Sequence, residues 1–240
     1  MKKVFFIFIL FISFESFCQI SGEEYVEKGF LSYGKLQYIE AIAFLDEAVK
    51  INDNDIEAYL LRSLCYFKSG NSKKALGDFT ELISKYPENA DLRIARGIVY
   101  QQTDKLWKAV DDFNAAVRLN PRDDYAYNYL GVCFDDLLMV DQALENYTKA
   151  INLKPEVVDY YHNRGLLYEK IGNYRGALYD YGKMIELEPD NAEWYFYKAV
   201  TYLEMKNDEK ACESFKAAAV LDNEEAKSLV PIFCPEDFDF

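Results

Sequence analysis

The stretch GNYRGALYDYGKMIELEPDN, Gly172 to Asn191, places an alanine, a tyrosine, a leucine and a proline where QALENYTKAINLKPEV, Gln142 to Val157, places their equivalents. A pattern written twice is a reason to look for a period before reading anything else. Stepping by 34 residues from Ala177 in both directions lands on Ala41, Ala75, Ala109, Ala143 and Ala211, with no insertion. Four residues after each alanine comes a large residue: Leu45, Phe79, Phe113, Tyr147, Tyr181 or Phe215. Three further on stand Ala48, Leu82, Ala116, Ala150, Met184 and Ala218, so small and large residues recur on one helical face. Each unit closes at Asp53, Pro87, Pro121, Pro155, Pro189 or Asn223. A proline just past a run of helix formers ends the helix.

Upstream of each alanine lies a second column with the same period: Gly29, Ser63, Gly97, Gly131, Gly165 and Ala199. An aromatic follows three residues later at Tyr66, Tyr100, Phe134, Tyr168 and Tyr202. The small residue lets another helix approach closely, and the aromatic fills the space beside it. Each unit therefore reads as two amphipathic helices, A and B, joined by a short turn such as KSGN or KIGN, where Gly70 and Gly172 are free to take positive φ. In period and in both columns the chain resembles the tetratricopeptide repeat, over roughly residues 22–225. The resemblance implies an all-α fold, a right-handed α-solenoid of stacked antiparallel helix pairs, in six units of about 22–55, 56–89, 90–123, 124–157, 158–191 and 192–225. A capping helix and an acidic tail are expected over 224–240, with the helix running from Glu224 to Val230 and stopped by Pro231.

The chain departs from the family early in helix A. Tyr25, Tyr59, Tyr127, Tyr161 and Tyr195 stand for its tryptophan, with Arg93 in the third unit. Lys28, Arg62, Arg96, Arg164 and Lys198 stand for its leucine, and Leu130 alone matches. The first unit, with Ser32 for the aromatic and Asp53 for the proline, keeps the pattern least well.

The opening MKKVFFIFILFISFESFCQI sets two lysines before an apolar run from Val4 to Phe14, too short for the ~20 residues a membrane-spanning helix needs. A basic start and a small-x-small end at Ser16-Phe17-Cys18 are the layout of a secretory signal over residues 1–18, cleaved between Cys18 and Gln19. The rival reading keeps Cys18 as a lipid anchor of bacterial style, against which the bulky Phe17 counts. Export is expected either way, to the periplasm, the cell envelope or the medium, with no transmembrane span once the signal is removed; an uncleaved anchor is the remaining alternative. Losing Lys2, Lys3 and Glu15 moves the net charge from −14 to −15, which leaves no basic face for nucleic acid. Of the remaining cysteines, Cys65 and Cys133 sit in one column two units apart, too distant to bridge, whereas an oxidising compartment leaves Cys212 and Cys234 open to pairing.

No catalytic constellation emerges, and no enzyme activity or cofactor is expected. His162 is the only histidine, on the exposed side of a helix A, and no cysteines have zinc-site spacing. The acidic clusters Asn52–Asp55, Asp135-Asp136 and Pro235–Phe240 lack the glycine turn and terminal glutamate of a calcium loop and read as caps, helix ends and tail. Asn146-Tyr147-Thr148 matches a glycosylation sequon but falls inside a helix B, where acceptors do not belong.

The array itself is left to carry the function. In the family it resembles, the A helices line a concave groove that receives a peptide or helix, and one subset grips a C-terminal carboxylate with cationic side chains. Here the matching positions hold Val26 and Phe30, Leu60 and Leu64, Ile94 and Ile98, Asn128 and Val132, His162 and Leu166, Phe196 and Val200, which do not make such a clamp. Residues four apart share a helix face, so the first three pairs form an apolar strip, and Asp135, Asp136 and Glu169 bring carboxylates near the same side. The candidate binding groove is thus Val26, Phe30, Leu60, Leu64, Ile94, Ile98, Asn128, Asp135, Asp136, His162 and Glu169. Its expected partner is an amphipathic or extended protein segment with apolar anchors at one end and lysine or arginine at the other. The competing reading makes the strip a packing surface between neighbouring A helices. The function expected is a protein-binding adaptor or assembly factor at the bacterial cell envelope. The alternative is a glycan binder, which would need its exposed aromatics clustered and flat rather than strung along the A helices.

Overall fold

The computed structural model describes residues 21–234, so the expected cleavage site at Cys18-Gln19 and the tail Pro235–Phe240 lie outside the described residues. Those residues form thirteen α-helices and no strand. The A helices are α1 (Gly22–Gly34), α3 (Ile56–Lys68), α5 (Ala90–Gln102), α7 (Asp124–Asp136), α9 (Val158–Lys170) and α11 (Ala192–Glu204). The B helices are α2 (Tyr38–Ile51), α4 (Ser72–Lys85), α6 (Leu106–Leu119), α8 (Val140–Leu153), α10 (Tyr174–Leu187) and α12 (Asp208–Val220), and α13 (Glu224–Phe233) follows. The chain divides into two compact units, one ending at Gly70 and one beginning at Asn71. In the first, α1, α2 and α3 all touch one another. In the second, each helix from α4 to α13 packs on the next, and α7 also touches α5 and α9.

Local chemistry fixes the boundaries. Ser21, Asp55, Asn89, Asp123 and Asn191 begin A helices, each accepting from a backbone N–H in the first turn. Val157 stands at the equivalent position before α9 and offers no such cap. The turn from A to B helix needs a left-handed residue, and Leu36, Gly70, Asp104, Leu138, Gly172 and Lys206 supply it at 34-residue intervals. Only two of the six are the glycines anticipated from sequence. A side chain in that conformation costs ~1–2 kcal/mol, and Leu138 gains little in return, being 72% exposed. Leu138→Gly should therefore raise stability by about 1 kcal/mol in a denaturant titration, and Gly172→Leu should lower it by about as much.

The two sequence columns meet in the core. The six anchor alanines are fully buried, as are Leu45, Phe113, Tyr181 and Phe215 from the large column. At Gly131 an added Cβ would stand 2.5 Å from the Tyr147 ring, and at Gly165 one would stand 2.9 Å from the Tyr181 ring. The small residue on helix A is the seat of the large residue on its own helix B.

The arginines standing for the family's leucine have a visible task. In α5, Arg96 donates through Nε and Nη2 to Asp112 of α6, both at 2.7 Å, and through Nη1 to Thr80 of α4 at 3.1 Å. In α9, Arg164 repeats the arrangement with Asp180 of α10 at 2.9 and 2.7 Å and Thr148 of α8 at 3.0 Å. Each guanidinium ties its helix A to the B helices on both sides. Within the first unit, Arg62 donates to Asp46 at 2.8 Å. In α7 the position is Leu130, buried, and the aspartate position in α8 is Asn146, whose Nδ2 donates to the Gln142 carbonyl at 2.8 Å. Ion pair and uncharged pair exchange as sets. The same bond occupies the sequon asparagine, which is buried.

At the C-terminal end, α13 lays Ala226, Leu229, Val230 and Phe233 against the last repeat, with Phe233 stacked on Phe215 at 5.7 Å. The helix does not stop before Pro231 as its sequence suggests but continues to Phe233. Proline's φ is helical, its missing N–H costs one bond on an exposed face, and the last turn is secured by Cys234 N–H donating to Val230 and by a Cys212–Cys234 disulfide, Cα–Cα 5.3 Å. Cys65 and Cys133 are unbridged and buried, and burial pushes their thiols up to about 11 and about 12 respectively, which keeps them unreactive.

Candidate functional site

The groove residues read from sequence divide into two kinds. The polar ones cross-link successive A helices. Asn163 of α9 donates to Asn128 of α7 at 3.0 Å. Lys170 of α9 pairs with Asp135 of α7 at 2.6 Å, and Gln101 of α5 approaches Asp136 at 3.5 Å. Thr201 of α11 donates to Glu169 of α9. Each bond joins residues 32 to 35 positions apart, one repeat to within two residues, so the partners lie on neighbouring turns of adjacent A helices. Sequence reading missed Asn163, Lys170 and Thr201 because it followed the columns at 34 and not the diagonals beside them.

His162 does not lie on the exposed side of α9. It is half-buried against Trp194 and Tyr197 of α11, ring centroids 5.7 and 5.3 Å away, and its Nε2 is buried without a hydrogen-bond partner. Burial holds its pKa below the ordinary value, opposed by the carboxylates of Asp159, Glu193 and Glu169. The unfolded chain then binds more protons than the native one in mildly acid solution, so the protein loses stability as pH falls below about 6.5. Thermal midpoints measured between pH 7 and 5 should fall more steeply for the parent than for His162→Phe, which keeps a neutral ring among the aromatics. Equal slopes would remove His162 from the account.

The apolar members behave differently. Val26 and Ile94 are buried, Leu60 and Ile98 are partly buried, and Ile98 packs on the core around Phe113. Phe30 is 62% exposed and Leu64 36%, and Leu166, at the same repeat position in α9, is 40% exposed. The packing alternative thus holds for Ile94, and the next repeat position differs between units: Ile98, Val132 and Val200 are partly buried against the core there, whereas Phe30, Leu64 and Leu166 stay open to water. Val26 and Phe30 also line a cavity of about 350 Å³ together with Glu23, Glu27, Asp55 and Glu57. The most exposed aromatics, Phe30, Trp107, Tyr125 and Tyr179, sit on four different helices and compose no flat platform. Among the described residues no group of three or more His, Cys, Asp or Glu is placed to hold a metal ion, and no helix is long and apolar enough to cross a membrane.

Paired helices at a fixed period and small-over-large packing define a tetratricopeptide-repeat protein, and the chain belongs to that family. Within it, the pattern described as Psidin, N-terminal TPR repeats region, matches residues 65–225. Over 73 residues, 30% of this chain, it is 37% identical to Hsp70-Hsp90 organizing protein 3 of Arabidopsis thaliana, and the match spans 13% of that protein. A solved tetratricopeptide-repeat protein from Parabacteroides merdae superposes with a TM-score of 0.66 at 21% identity, over 91% of this chain and 86% of that one. YrrB, described as a TPR protein with an unusual peptide-binding site, superposes with a TM-score of 0.61 at 20% identity, over 78% of this chain and 97% of its own. At these identities the two structures speak for the fold alone.

Proposed function

We propose that the protein is an exported binding module that holds an extended or amphipathic segment of another protein against its A helices, as an adaptor or assembly factor at the bacterial cell envelope. The observation that carries this reading is that one repeat position on the A helices leaves apolar side chains open to water in three units, at Phe30, Leu64 and Leu166, where Ile98, Val132 and Val200 are partly buried. Covering such side chains returns ~25 cal/mol for each Å² of apolar area removed from water. Export is supported by the basic and apolar opening of the chain and by the Cys212–Cys234 bridge, which an oxidising compartment preserves.

The test uses protein beginning at Gln19, with Leu64→Glu and Leu166→Glu made separately. Both sites are exposed enough for the variants to fold, which circular dichroism verifies. Each is used to capture proteins from an envelope fraction of the native host. Loss of a band that the parent retains supports the A helices as the binding surface, and full capture by both variants places binding elsewhere. An intact mass on native material settles the processing: a chain starting at Gln19 is expected, and a diacyl or triacyl addition at Cys18 would make the protein membrane-anchored.

A further inference from the structure

The cavity beside Phe30 gives the partner a chemistry, and the inference rests on the groove reading above. Its floor is apolar, Phe30 of α1 with the buried Val26 one turn away. Its rim is four carboxylates, Glu23 and Glu27 from α1 and Asp55 and Glu57 at the start of α3. Glu23 and Glu27 are four residues apart on one helix face, an arrangement in which like charges repel.

Among the described residues no basic side chain pairs with Glu23, Glu27 or Glu57, and only the helix N-termini beside Glu23 and Glu57 favour their charge. Lys28, the single basic residue of α1, is held by Glu24 at 3.0 Å. Asp55 spends one oxygen on the Ala58 N–H at 3.0 Å. This reverses the polarity expected from sequence. Asp135 is paired with Lys170, and Asp136 and Glu169 accept from the uncharged Gln101 and Thr201, so the carboxylates assigned to a basic partner are already engaged in bonds between A helices. The unanswered ones surround the most exposed apolar residue of the strip. They form no group placed to hold a metal ion. At about 350 Å³ the cavity is at the small end of the ~300–1,000 Å³ range of ligand pockets, a fit for one long side chain and not for a helix.

We infer that this cavity receives an arginine side chain from an extended, basic stretch of the partner protein, its guanidinium plane lying on the Phe30 ring and its donors shared among Glu23, Glu27 and Glu57. Arginine suits the site because its flat, weakly hydrated head stacks on an aromatic face while its fork of N–H groups reaches several carboxylates.

The probe is the peptide acetyl-Gly-Leu-Arg-Leu-Gly-amide, titrated at low salt into ¹⁵N-labelled protein beginning at Gln19. Amide shifts should concentrate around residues 23–30 and 55–58. Affinity should fall about tenfold when citrulline replaces the arginine, and about as much for the triple variant Glu23→Gln, Glu27→Gln, Glu57→Gln or for Phe30→Ala. All four positions are exposed, and helicity confirms that the variants are folded. Equal binding of the citrulline peptide, indifference to the triple variant, or no shift at millimolar peptide would each overturn the site. A lysine peptide binding as tightly as the arginine one would overturn the stacking. Shifts around Asn128 and His162 instead would discard this site and keep the A-helix groove, whereas shifts confined to the B helices would discard both.

Discussion

Asp180→Asn should cost about 3 kcal/mol and lower the thermal midpoint by roughly 6–12 °C. The double variant Asp180→Asn with Arg164→Leu should recover to within about 1 kcal/mol of the parent. Asp180 is fully buried and Arg164 nearly so, and the two share a bidentate pair at 2.7 and 2.9 Å. Burial raises the Asp180 pKa and Arg164 draws it back, so the charge at that position depends on its partner. Removing one member leaves the other ionised in a place where water cannot reach it. Removing both reproduces a solution the chain already uses one unit earlier, where Leu130 and Asn146 occupy the same two positions. Denaturant titrations of the parent, both single variants and the double variant complete the cycle. If the double variant is as damaged as the worse single one, the exchange of sets depends on neighbours other than these two residues; Thr148 of α8, which would lose its arginine donor, is the first to examine.

Cys212→Ser should cost about 3 kcal/mol, because the bridge closes a loop of 22 residues in the unfolded chain. The loss should be local. The bond fastens α13 over the last repeat, and without it Ala226, Leu229, Val230 and Phe233 hold that helix alone. Hydrogen exchange should accelerate in α13 and α12 and stay unchanged in α5 to α8. Reduction of the parent should give the same pattern. Deleting residues 224–240 should go further by uncovering Phe215, with a lower midpoint and lower solubility. A parent that melts unchanged after reduction would show that the apolar contacts of α13 suffice.

The columns of the sequence were enough to read helix pairing and the buried face, because packing obeys the same period as the residues. Ala177 and Tyr181 were legible as one face of a helix B and Gly165 as a point of close approach on a helix A, and the 2.9 Å distance at Gly165 adds that the side chain seated there is Tyr181. Turn chemistry was legible only where glycine wrote it. Leu36, Asp104, Leu138 and Lys206 adopt the left-handed conformation because the helices on both sides dictate it, at a cost small enough for the fold to carry. The end of α13 was misread for a related reason: Pro231 forbids one hydrogen bond, and tertiary contacts outweigh that bond. At the candidate site the sequence pointed to one face of the A helices but not to which side chains on it were already engaged. That depends on the stagger between adjacent A helices, which sets Asn128 against Asn163 and Asp135 against Lys170 and leaves Glu23 and Glu27 unanswered.

The bonds lacing α7, α9 and α11 together bear on the thermodynamics of recognition. Immobilising a long side chain at an interface ordinarily costs ~0.5–1.5 kcal/mol. Asn128, Asp135, Asn163, Glu169 and Lys170 have already lost that freedom when the chain folded. A segment arriving on these helices meets a preorganised surface, and the entropy of association falls mainly on the visitor. Were the proposed partner to seat there, its affinity would depend on how much motion it gives up, which would favour a proline-stiffened segment over a glycine-rich one of equal contact area.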